Sequence, residues 1–116
     1  MNTQELGQFG ETKAAEYLLK QRYQIIARNL RYEIGEIDIL AKDGKSIVIV
    51  EVKAGRTGQF GYAIERVGPQ KQRKLRQLAG RVSQDYPRSP LRIDLVNVDP
   101  GSGELLHIMN AVEAAA

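Results

Sequence analysis

Cysteine and tryptophan are missing from this chain, and histidine occurs once, at His107. Without cysteine there is no disulfide, no thiolate zinc site and no thiol nucleophile, which fits a reducing compartment such as the cytoplasm. With a single imidazole, a metal site has to be built from carboxylate and carbonyl oxygens. That donor set suits Mg²⁺ or Mn²⁺ better than Zn²⁺. No apolar run approaches the roughly 20 residues that a membrane-spanning helix needs. The opening MNTQELGQFGETK has no basic segment followed by an apolar one, so no secretory leader is expected. The expected location is the cytoplasm.

What is present is ordinary in bulk. The 116 residues suit one domain, and 42% hydrophobic with 27% charged residues is the balance of a chain that folds around one core. The formal charge of +3 leans towards an anionic partner, though weakly.

The chain is organised around the stretch from Gly35 to Lys53. Ile47-Val48-Ile49-Val50 is an unbroken β-branched run, the pattern of a strand buried on both faces. It continues into Glu51-Val52-Lys53, placing a carboxylate and an ammonium on one face. Upstream, Glu36 and Asp38 alternate with Ile37 and Ile39, and Asp43-Gly44 between the two runs signals a hairpin turn. Across the hairpin Asp38, Glu51 and Lys53 converge. One reading is a salt-bridged cluster in which Lys53 neutralises Glu51. Two acids and Glu36 against one lysine leave surplus negative charge, however, which favours a site for a hard divalent cation.

Before this stretch, Thr3 to Arg22 reads as a helix with Thr3 as N-cap and Leu6, Phe9, Gly10, Ala14, Tyr17 and Leu18 on its apolar face. Gly7 and Gly10 cost helix propensity and suggest a close backbone approach. Glu11 lies at the flank of that face. Tyr23 to Arg31 reads as a strand with an irregularity at Arg28-Asn29. After it, residues 55 to 63 read as a glycine-rich loop carrying Arg56, Phe60 and Tyr62, which either contact phosphate and bases or, for the two aromatics, simply anchor the loop. Gly68-Pro69 opens a second helix with the stripe Leu75, Leu78, Ala79, Val82. Arg66, Lys71, Arg73, Lys74, Arg76 and Arg81 surround that stripe, with no acid between Gln70 and Gln84. Such a helix forgoes ion pairs along its own face and gains affinity for a polyanion. Lys71 lies close enough to the stripe to point towards the site. Two more strands follow, Leu91 to Asp99 and Glu104 to Met109, with Asp94 and His107 read as structural. The tail from Ala111 is expected to fray.

The order helix, three strands with D…E-x-K, helix, two strands resembles the PD-(D/E)xK nucleases, with Ile37 standing where that motif has proline. Gly10-Glu11, Asn29, GEIDIL, IVIVEVK, Phe60-Gly61, Lys71 and Ile93-Asp94-Leu95 together resemble the uncharacterised YraN-like family. That family is similar in turn to archaeal Holliday-junction resolvases. The resemblance runs from Leu6 to about Val98. It implies an α/β, restriction-endonuclease-like fold, a central mixed sheet of about five strands flanked by helices, as one nuclease-like domain over residues 1–116. It also implies that Glu11, Asp38, Glu51 and the Val52 backbone carbonyl ligate Mg²⁺ or Mn²⁺. Asp38, Glu51 and Lys53 would be catalytic, with Lys53 orienting the attacking water and neutralising the phosphorane. Arg56, Lys71, Arg73, Lys74 and Arg76 would bind nucleic acid.

The expected function is therefore metal-dependent endonucleolytic cutting of DNA, branched or junction DNA in particular, in recombination or repair. A homodimer would match the two-fold symmetry of paired junction cuts. The rivals are a nucleic-acid-binding module on the same fold that no longer cuts, and an interaction protein whose acid–lysine cluster is structural.

Overall fold

The computed structural model describes residues 1–55 and 67–114. The loop with Arg56, Phe60 and Tyr62, and Arg66 beyond it, lie outside the described residues. The elements in chain order are α1 (Thr3–Lys20), β1 (Gln24–Tyr32), β2 (Gly35–Asp43), β3 (Ser46–Ala54), α2 (Pro69–Asp85), β4 (Leu91–Val98) and β5 (Leu105–Val112). The strands form one sheet in the order β1-β2-β3-β4-β5. Every neighbouring pair is antiparallel except β3 and β4, which run parallel. This is the expected α/β layout, a mixed five-stranded sheet with a helix on either face, consistent with a restriction-endonuclease-like fold.

The parallel pair explains the placement of α2. Two parallel neighbours cannot be joined by a tight turn, so the chain crosses over one face between them. The Leu75, Leu78, Ala79 and Val82 stripe of α2 packs there with Ile47, Ile49, Ile93 and Leu95. On the opposite face Ala14, Ala15 and Leu18 of α1 meet Val48, Val50, Val96 and Val98. Each apolar residue of β3 thus serves one helix or the other by turns, which is why that strand reads as continuous apolar sequence.

Local chemistry sets the ends of α1. The N-cap is Asn2 and not Thr3: Asn2 Oδ1 accepts the Glu5 N–H at 2.8 Å, and Glu5 Oε1 accepts the Asn2 N–H in return. A carboxamide followed three residues later by glutamate satisfies two helix-end donors reciprocally. At the far end, Arg22 takes a positive φ of 68° and stops the helix.

The β2–β3 hairpin closes as expected, with Asp43 opposite Ser46 and Gly44 at φ 59° in the turn. The strict alternation in β2 does not hold. Ile37 packs in the α2-side core and Ile39 in the α1-side core. The same slip occurs next door in β1, where Arg28 reaches Thr12 of α1 while Leu30 joins the α2-side core. Between them stands Asn29 at φ 51°, level with Asp38 by the flanking pairs Arg28–Ile39 and Leu30–Ile37. A left-handed residue in a strand breaks its period of two, and both strands change faces at this level. The sequence irregularity at Arg28-Asn29 is this feature. A second one, a bulge between Ile25 and Ala27, was not expected.

The tail is more structured than its alanines suggest. β5 runs two residues into the stretch expected to fray, and Val112 is buried. Among the described residues no helix is long and apolar enough to cross a membrane.

Candidate active site

Asp38 occupies the point where β2 parts from β3. The ladder between these strands stops at Ile39 opposite Val50. One step further, the Val52 N–H donates to Asp38 Oδ2 at 2.9 Å in place of a backbone carbonyl. A side chain replaces the ladder, and this fixes the carboxylate at the end of the buried strand.

Glu51 precedes Val52 and is only 7% exposed. It faces α2, where Lys71 Nζ stands 3.2 Å from its Oε2. The Asp38 carboxylate lies within electrostatic reach of the Glu51 carboxyl. Burial first, then the charge and hydrogen bond of Asp38, push the Glu51 carboxyl up to about 7, against the opposing pull of Lys71 and Lys53.

Glu11 approaches from the α1 side. The Gly10 position lies against β3, where an added Cβ would meet Val52 Cγ1 at 3.5 Å and Ala54 Cβ at 3.6 Å. The glycine therefore lets the helix backbone close on the same end of β3 that carries the acids. Half-buried Glu11 is raised above the ordinary carboxylate value, by burial first and by Asp38 second, while a hydrogen bond from Asn29 and the charge of Arg28 pull it back. Asp38 is thus flanked by Glu51 on one face and Glu11 on the other.

Of the residues expected from sequence, Asp38 meets the Val52 N–H, Glu51 meets Lys71, and Glu11 and Glu51 each lie within electrostatic reach of Asp38. Lys53 lies half-buried at the margin, level with Asn97 of β4, and makes no ion pair among the described residues. On the reading of a salt-bridged cluster the lysine that neutralises Glu51 was Lys53; the structure gives that position to Lys71. Asn97 is buried as well, with Nδ2 donating to Gly55 O at 3.1 Å and Oδ1 without a partner among the described residues. Arg73 is exposed on α2, Lys74 donates to the Ile34 carbonyl in the turn between β1 and β2, and Arg76 is half-exposed. Arg56 lies outside the described residues.

The donors are all hard oxygens, they carry surplus negative charge, and burial with the neighbouring Asp38 raises one of them, Glu51, to about 7. In chemical type this suits a hard dication. Among the described residues, however, no three carboxylate or imidazole groups are gathered closely enough to hold one as they stand.

A second polar cluster on the α1 side went unread in the sequence. Asp94, fully buried on β4, receives Arg92 Nε at 2.8 Å and the Asn110 N–H at 2.9 Å on Oδ1. Its Oδ2 lies 2.8 Å from His107 Nε2, and His107 Nδ1 lies 3.0 Å from the Tyr17 hydroxyl. Arg92 also reaches Tyr23 and Asp43. Burial alone would raise the Asp94 carboxyl, but bonds from His107, Arg92 and the Asn110 N–H outweigh it and hold the carboxyl low. His107 is structural, as read, and holds Asp94 and Tyr17. Arg92 and Asp94 at alternate strand positions were the available signal.

The model of the uncharacterised protein family UPF0102 matches residues 10–98, which include Glu11, Asp38, Glu51, Val52, Lys53 and Lys71. The chain belongs to that family. It is 42% identical over 119 residues to the UPF0102 protein of Symbiobacterium thermophilum, covering 97% of this chain and 99% of that one. To the UPF0102 protein of Clostridioides difficile it is 39% identical, with coverage of 96% and 99%. A UPF0102 protein of Caldicellulosiruptor saccharolyticus is 51% identical over 79 residues, 68% of this chain and 67% of the relative. Membership in UPF0102 agrees with the YraN-like motifs.

Proposed function

We propose that this UPF0102 protein is a metal-dependent endonuclease acting on DNA, branched or junction DNA in particular, in recombination or repair. The observation that carries the reading is the Asp38–Glu51 carboxyl pair at the end of a buried strand, with Lys53 beside it and Glu11 on the other flank. A fold does not spend surplus acids at such a place for packing alone. Glu11, Asp38, Glu51 and the Val52 carbonyl would hold Mg²⁺ or Mn²⁺. When bound, that ion would supply charge neutralisation at the phosphate and a more acidic water.

In hydrolysis, a water oxygen loses a proton and bonds to phosphorus, the bond from phosphorus to the leaving sugar oxygen breaks, and that oxygen takes a proton. Lys53, without an ion pair among the described residues, orients the water and offsets the charge that builds on the phosphorane oxygens. Arg73, Lys74, Arg76 and Arg56 supply the electrostatic attraction that brings the polyanion to α2.

The ion pair between Glu51 and Lys71 favours a second reading, a module on the same fold that binds nucleic acid without cutting it. The two separate on a panel of labelled single strand, duplex, flap, fork and four-way junction with Mg²⁺ or Mn²⁺. Cutting that requires metal and disappears in Glu51→Ala and Lys53→Ala supports the nuclease. Binding without cutting by the parent and both variants supports the module.

A further inference from the structure

Gln4, Gly7, Gln8 and Glu11 recur at the spacing of one helix face, and that face is polar throughout. It does not pack down. Between it and Arg28-Asn29 of β1 runs an open groove of about 540 Å³. The Gln4 and Gln8 amides make no side-chain hydrogen bond with any described residue, and Arg28 is held across the groove by Thr12 Oγ1 at 3.3 Å. The groove ends at Glu11, beside Asp38.

Gly7 is the feature that packing leaves unexplained. Glycine is among the poorest helix formers, yet this one sits well inside α1. Its φ is ordinary, and an added Cβ would find nothing within 4 Å, unlike Gly10 one turn on. The fold does not need a glycine here. What it provides is a bare stretch of helix backbone on the floor of the groove, flanked by two amides without partners.

We propose that this groove seats one sugar–phosphate strand of the nucleic acid next to the position that is cut, with Gly7 as the point of closest approach. This rests on the nuclease reading above and adds a substrate subsite to it. The recognition chemistry is that of a backbone and not of bases. Gln4 and Gln8 donate to phosphate and sugar oxygens, Arg28 supplies one positive charge, and the missing Cβ leaves room for a sugar. Contacts of this kind fix the register of a strand without reading its sequence.

The test is binding of the labelled substrate panel by fluorescence anisotropy, in EDTA so that no chemistry intervenes. Parent, Gly7→Ala and Gly7→Gln are compared, each with its melting curve. Alanine and glutamine are better helix formers with open space around them, so both variants melt higher than the parent. Affinity falls severalfold with alanine and more than tenfold with glutamine. A protein made more stable and yet a poorer binder, in proportion to side-chain size, is the expected result. Unchanged affinity in Gly7→Gln, equal losses in both variants, or a lowered melting temperature would overturn the subsite and leave the nuclease reading standing. A parent that binds none of the panel in EDTA and cuts none of it with Mg²⁺ or Mn²⁺ would overturn both.

Discussion

Lys71 Nζ stands 3.2 Å from Glu51 Oε2, so the cation that balances the buried acid comes from α2 and not from Lys53 on the same strand. Lys71→Met should therefore matter only when Glu51 is ionised. At pH 6, below the Glu51 value of about 7, the variant should be nearly as stable as the parent. At pH 8 it should lose about 1 kcal/mol, a figure kept low because Lys71 is more than a third exposed. Urea denaturation at the two pH values checks this.

Glu51 itself should set a pH slope in metal-free protein. A carboxyl raised from its ordinary value to about 7 keeps its proton on folding and releases it on unfolding. Its stabilising contribution is full below the ordinary value and is lost as pH rises through about 7. The loss is at most about 3 kcal/mol for a shift of that size. Glu51→Gln should flatten the decline between pH 5 and 8 and be the more stable protein at pH 8.

The Asp94 cluster should behave in the opposite sense. Its carboxyl is held low, so its contribution is present at neutral pH and lost as pH falls below the ordinary carboxylate range. Asp94→Ala strands Arg92 and His107 and should cost roughly 3 kcal/mol at pH 7. Nucleic-acid affinity of the folded fraction should not change, since the bonds of Asp94 run to Arg92, His107 and Asn110 and none runs to Glu11, Asp38 or Glu51.

Much of this was legible in the sequence, for physical reasons. The run Ile47 to Val50 is apolar because both helices use it, and Pro69 with the Leu75–Val82 stripe marks α2 without ambiguity. Asp38, Glu51 and Lys53 stand out because charge at the end of such a strand is costly. What stayed hidden depends on contacts between distant segments. That Lys71 reaches Glu51 depends on how α2 lies across the sheet. That Ile37 and Ile39 serve opposite cores depends on Asn29 and Asp38 being level in neighbouring strands. His107 gains Asp94 only through the β4–β5 pairing, which no local spacing announces.

The helix start was misread for a local reason. Asn2 and Thr3 are both good caps, and only the Glu5 reciprocal bond distinguishes them. Asn2→Ala should cost about 1 kcal/mol and Thr3→Ala much less, as read by thermal melting.

The most direct measurement of the central claim, that Asp38 and Glu51 form a cation site, is calorimetric titration of Mn²⁺ into parent, Asp38→Asn and Glu51→Gln at pH 8. The expected result is saturable binding by the parent, with a melting temperature that rises with Mn²⁺, and loss of both effects in each variant. A parent whose heats and melting temperature ignore Mn²⁺, or variants that bind it as the parent does, would contradict the account.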